Sequence, residues 1–178
     1  MEFLKKVSMI LTKPSKFFDK IKSEKTVNSA FSFLLITSLV YLVATVILVS
    51  NGPLASLGAT GIASVAVFSW VMTVLVMFVS AAVVFVFAKV LGGKGSYVEA
   101  YKSLVYGSLP SQLLGWLPFA GVLFSIWSLY LQTKGVSKLY KIGMFRSLIA
   151  VLSPSLIALA LIIIFASALL TGMVPKII

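Results

Sequence analysis

The chain has 178 residues, is 60% hydrophobic with a mean hydropathy of +1.12, and carries a formal net charge of +11. Soluble domains are about half apolar, so the composition points to a lipid-embedded protein. With no Cys and no His, disulfides, thiol chemistry and Cys/His metal sites are excluded; the four acids, Glu2, Asp19, Glu24 and Glu99, are a thin stock for hydrolytic chemistry.

Residues 1–28 form a short basic segment ahead of the apolar part. Phe3, Val7, Ile10 and Leu11 repeat at helical spacing, as do Phe17, Phe18 and Ile21, and lysines fill the other positions. Pro14 separates the two stretches and suits the first turn of a second helix. A basic helix of this kind lies in the membrane interface, or docks on the protein's own cytosolic face, and the two are compatible. The segment is too charged for a signal peptide, and Glu2 removes the myristoylation motif.

A spanning helix needs about 20 apolar residues. The uncharged run 26–88 holds two spans broken at Ser50-Asn51-Gly52-Pro53. The first is expected over about Ala30–Val49 and the second within Thr60–Val90, where the extra length implies tilt or an outer extension. Gly92-Gly93-Lys94-Gly95-Ser96 follows. It is not a phosphate loop, because Gly95 stands where Ser or Thr should follow the lysine. It reads instead as a glycine helix cap and a loop. Ser96-Tyr97-Val98-Glu99 then reads as a capping box, with Ser96 and Glu99 as cap and polar anchor.

The run 103–133 carries Pro110, Gly115 and Pro118 in its middle, so continuous helix is not expected. A hairpin of two short helices, about Tyr97–Leu114 and Phe119–Thr133, is predicted, either spanning fully or re-entrant and shielded by other helices. Gly107, Ser111 and Gly115, four residues apart, allow close helix approach, within the chain or in a homodimer. Gly135 and Gly143 punctuate a basic gap at 134–146. A last span, about Ser147–Leu170, contains Pro154. No internal repeat is visible, which disfavours an inverted-repeat transporter. No charge falls in a span core away from the ends, which disfavours a pump or channel.

Five crossings place fourteen of the fifteen basic residues on one face, leaving Lys176 alone on the other. By the positive-inside rule the N-terminus is cytosolic, the C-terminus is outside, and the location is the cell membrane. Lys5, Lys6, Lys13, Lys16, Lys20, Lys22, Lys138, Lys141 and Arg146 are candidate contacts for anionic headgroups. The charges abut apolar spans and do not interleave with aromatics, which argues against nucleic acid. No catalytic, cofactor-binding or metal-binding residue is singled out.

The order of features resembles the Yip1 domain family, in a prokaryotic-type member. Lys13-Pro14-Ser15-Lys16-Phe17-Phe18 is similar to the family's opening Pro-x-x-Phe pattern. Gly95, Glu99, Ala100, Tyr106 and Pro110 resemble its glycine-rich loop and the helix after it. Trp127, Gly135 and Arg146–Pro154 resemble its later patterns. The resemblance implies an all-α polytopic bundle over residues 29–175, with five membrane helices and an N-terminal interfacial segment. It also implies a non-enzymatic scaffold or adaptor with a membrane-organising or trafficking-like role. Eukaryotic members associate with Rab GTPases and with each other through a longer acidic, aromatic-rich tail, where this chain has short basic residues. The alternative function is a small-molecule or lipid transporter or lipid-handling protein, which a cavity containing Tyr41, Tyr106, Gln112 and Gln132 would favour.

Overall fold

Backbone in lipid must satisfy its own hydrogen bonds, and a chain this apolar meets that demand with helix. The computed structural model describes residues 3–23 and 25–173, and it is all-helical with no strand among them. Glu2, Glu24 and Lys176 lie outside the described residues. Two short helices come first, α1 (Phe3–Thr12) and α2 (Pro14–Ile21), with Pro14 opening the second as its fixed φ favours. Then follow α3 (Asn28–Ser50), a single 3-10 turn (Ala55–Leu57) and α4 (Gly58–Val90). The remainder is α5 (Tyr97–Gly107), α6 (Leu109–Leu114), α7 (Ala120–Tyr140) and α8 (Met144–Met173).

Three stretches are long and apolar enough to cross a membrane: Asn28–Ser50, Ala55–Val90 and Met144–Leu169. Their outward faces carry exposed Leu, Ile, Val and Phe, as lipid contact requires. The hairpin of α5, α6 and α7 is less apolar because much of it faces protein. Every residue from Ala100 to Pro110 is buried, enclosed by α2, α3, α4 and α7.

The small-residue stripe packs this hairpin together. A Cβ on Gly107 would stand 2.6 Å from the backbone nitrogen of Gln132. The Ser111 amide donates to Ser128 Oγ at 2.9 Å, and a Cβ on Gly135 would meet Ser103 Cβ at 3.0 Å. Residues 103, 107 and 111 thus face 135, 132 and 128 in antiparallel register. Gly115 closes the turn, its Cβ position blocked by the Ser111 carbonyl.

Two expected boundaries are corrected. The first hairpin helix breaks at Ser108 into α5 and α6, because Pro110 has no N–H to continue the ladder. The second does not end at Thr133 but runs through the basic gap to Tyr140. Gly135 is therefore no punctuator. It lies inside α7, where the Phe18 ring of α2 sits 2.8 Å from its Cβ position. In α8, Pro154 cannot donate to Ala150, and the Ser153 hydroxyl donates to that carbonyl at 2.8 Å instead.

Gly107→Ala is expected to destabilise the protein by about 1–3 kcal/mol, since backbone and not a flexible side chain must yield. Gly143→Ala meets nothing within 4 Å and should stay within about 0.5 kcal/mol of the parent. Thermal unfolding in detergent, followed by tryptophan fluorescence, compares them; equal effects would contradict the seam.

Candidate functional site

Among the described residues, the basic side chains gather at one end of the bundle. The apolar stripe of α1 and α2 turns inward there, with Ile10, Phe17, Phe18 and Ile21 fully buried. Phe17 meets Tyr106 edge-on at 5.0 Å, and Phe33 of α3 meets the same ring at 5.0 Å. Tyr106 is buried, and its hydroxyl lies 3.1 Å from Ser29 Oγ. Lys6 reaches into this cluster, donating to Ser29 Oγ at 2.5 Å, with its ammonium 5.5 Å from the Tyr106 ring centroid. The segment is thus docked on the protein, and its lysines other than Lys6 are left on the outside.

Those lysines differ in what they can do. Lys5, Lys13, Lys16, Lys20, Lys22, Lys141 and Arg146 are exposed. Lys138 pairs with Asp19 across α7 and α2 at 3.1 Å, an exposed bridge that contributes about 0–1 kcal/mol. Lys6 is half-buried and bonded. Lys102, one of the fourteen basic residues that the charge pattern puts on one face, is fully buried. Its ammonium donates to the Ile21 carbonyl at 2.9 Å, a cation placed at the C-terminal end of α2 where the helix dipole favours it. Only knowledge that α5 is enclosed would have singled out Lys102 from sequence.

The glycine-rich loop is built around Tyr140, the last residue of α7, which the sequence places only in the basic gap after the hairpin. Gly92 caps α4 at φ 89°. A Cβ on Gly93 would stand 2.6 Å from Tyr140 Cδ1, and one on Gly95 would stand 2.7 Å from Cδ2. The two glycines therefore lie against the ring. The Tyr140 hydroxyl donates to the Ser96 carbonyl at 2.5 Å, and the Lys94 amide donates to the Tyr140 carbonyl at 3.1 Å. Ser96 then opens α5 as its N-cap, in extended conformation, within a capping box completed by Glu99. The Ser96 amide donates to Glu99 Oε2 at 2.8 Å, and the Ser96 hydroxyl also bonds that oxygen.

At mid-depth two clefts flank α4 and share Thr73 and Met77. One, of about 570 Å³, lies against α3 and the hairpin and is lined by Tyr41, Thr45, Ser111, Gln112 and Trp116. Gln112 is held there by Thr37 Oγ1 and by its own donation to Ser108 Oγ at 2.8 Å. The other, of about 520 Å³, lies where α4, α5, α7 and α8 meet and contains Gln132. Tyr106 lines neither, being sealed under α1 and α2.

The Yip1 domain matches residues 8–167, nearly the whole chain. The chain belongs to the Yip1 domain family. No curated protein and no solved structure gives a match. In this Yip1 domain the matched region begins inside α1 and ends inside α8, so it takes in the docked α2, the Tyr140 loop and both clefts. Family membership and the long apolar helices together make this a membrane protein.

Ser96→Ala in the Yip1 domain is expected to lower stability by about 1 kcal/mol. Glu99→Gln should cost less, because Gln still reaches back to the cap amide. Detergent unfolding curves of both variants measure this, and a larger loss for Glu99→Gln than for Ser96→Ala would assign Glu99 a role other than capping.

Proposed function

We propose that this Yip1-domain protein is a non-enzymatic membrane scaffold or adaptor whose basic end faces the cytosol and holds anionic lipid headgroups. The observation that carries the reading is the gathering of α1, α2 and the exposed lysines at one end of the bundle. Docking of the apolar stripe fixes that end as a rigid basic plate. Each exposed lysine near the surface adds about 1 kcal/mol of attraction to anionic headgroups. A membrane-organising or trafficking-like role follows from such a plate, with other membrane proteins or further copies of the chain as partners.

In this reading α3, α4, the two arms of the hairpin and α8 make five crossings. The loops at Asn51 and at Phe119 then lie on the outer side, and the C-terminus does too. A second reading, lipid handling or small-molecule transport, is favoured by the clefts that hold Tyr41 with Gln112, and Gln132.

The natural chain lacks Cys, so single cysteines report topology without background. Lys16→Cys and Lys94→Cys, both at exposed positions, should resist an impermeant thiol reagent added to intact cells. Asn51→Cys and Phe119→Cys, the latter at a residue 94% exposed, should react. Labelling of Lys94→Cys would overturn the arrangement, and protection of Phe119→Cys alone would make the hairpin re-entrant. For the headgroup role, spin-labelled anionic lipid in mixed vesicles should be enriched around the full protein. Replacing Lys5, Lys13, Lys16 and Lys20 together by Gln should lower that enrichment, as should high salt; unchanged enrichment in both arms would remove the headgroup function.

A further inference from the structure

The cleft between α4, α5, α7 and α8 has a chemistry that a packing defect would not need. Its volume is about 520 Å³, within the range of small-ligand sites. Thr73, near the middle of α4, lies on its wall, so it sits at the depth of the hydrocarbon core. Apolar residues such as Met77, Leu104 and Val151 make most of the lining. Set among them are Gln132, Ser69 and Ser80, all half-buried. The Gln132 carboxamide and the Ser69 and Ser80 hydroxyls make no hydrogen bond to any described residue, whereas Thr73 bonds the Ser69 carbonyl and Gln112, in the neighbouring cleft, is bonded through both its oxygen and its nitrogen.

Unpaired polar groups at this depth are costly, because lipid tails offer no partner. None of the lining residues is charged. Phe68 and Met72, on the rim, are exposed on the outer face of α4, so the cleft opens sideways towards the bilayer.

We propose that this cleft binds a neutral membrane lipid, with a hydroxyl or ester headgroup drawn to Gln132, Ser69 and Ser80 and the tails left in the bilayer. A charged phospholipid is refused by depth: its headgroup cannot leave the interface for a site that offers no counter-charge. Diacylglycerol has the required chemistry, with one hydroxyl and two ester carbonyls on a neutral body. The site is independent of the basic plate, so it stands whether or not headgroups bind there.

The test is photo-crosslinking of the full protein in nanodiscs with a diazirine-bearing diacylglycerol, and peptide mapping of the adduct. Labelling is expected on the α4 and α8 segments that line the cleft. Unlabelled diacylglycerol should compete, and phosphatidylglycerol with the same chains should not. Gln132→Met keeps the stem that packs on Gly107 and removes the carboxamide. It should lower labelling about five-fold, as loss of one hydrogen bond to the ligand would. Met72→Trp, on the rim, should block the cleft and abolish the adduct without touching the carboxamide. Equal competition by phosphatidylglycerol would show an acyl-chain groove without headgroup recognition and overturn the proposal. So would labelling unchanged in both variants, or an adduct mapping elsewhere.

Discussion

Everything in this bundle rests on the enclosure of α5. Its eleven residues are wrapped by α2, α3, α4 and α7, and from Ala100 onwards none is open to lipid or water. Enclosure frees the helix from the need to be apolar, so Lys102, Ser103 and Tyr106 can sit at its centre. It also demands thin side chains where α7 approaches. Gly107 answers that demand against Gln132, and Ser103 and Ser111 do so one turn to either side. In lipid, helices gain little from the hydrophobic effect between themselves, and close backbone approach supplies dispersion in its place. The three long apolar helices are the wrapping; the hairpin is what they wrap.

The basic end follows from the same core. Tyr106 and Lys102 reach from α5 towards α1 and α2, one through ring contacts and the other through a helix-end carbonyl. Tyr140 reaches from α7 into the loop that starts α5. Charge repulsion among so many lysines opposes this gathering. The buried aromatic contacts, Lys102 and the Asp19–Lys138 pair hold it, and the remaining lysines are spread over the solvent side.

Much of this was legible in the sequence, and the gaps have physical causes. Long uncharged runs specify membrane helices directly, and α3, α4 and α8 fall within a few residues of expectation. The Ser96–Glu99 box is read from a four-residue pattern because capping is local chemistry. The Yip1 resemblance agrees with the domain match. What failed to show was any feature set by distant contact. Gly135 looked like a break because glycine usually is one, and only the Phe18 ring from α2 explains it inside a helix. Nothing in the sequence singled out Lys102 or Tyr140, because the partners of both lie on other elements. The unpaired carboxamide of Gln132 is likewise visible only once α4 and α8 are placed beside it.

The docking of α2 also sets an order on how the molecule is made. Ile21 waits for Lys102, 81 residues downstream, and Asp19 waits for Lys138, 119 residues downstream. Synthesis runs from the N-terminus, so α1 and α2 emerge long before their seat on α5 and α7 exists. Through that interval Phe17, Phe18 and Ile21 have no protein to cover them, and the nearest apolar surface is the bilayer itself. The lysines on the opposite face suit the segment to rest there. In the folded protein these first-made helices close over a hairpin completed after them.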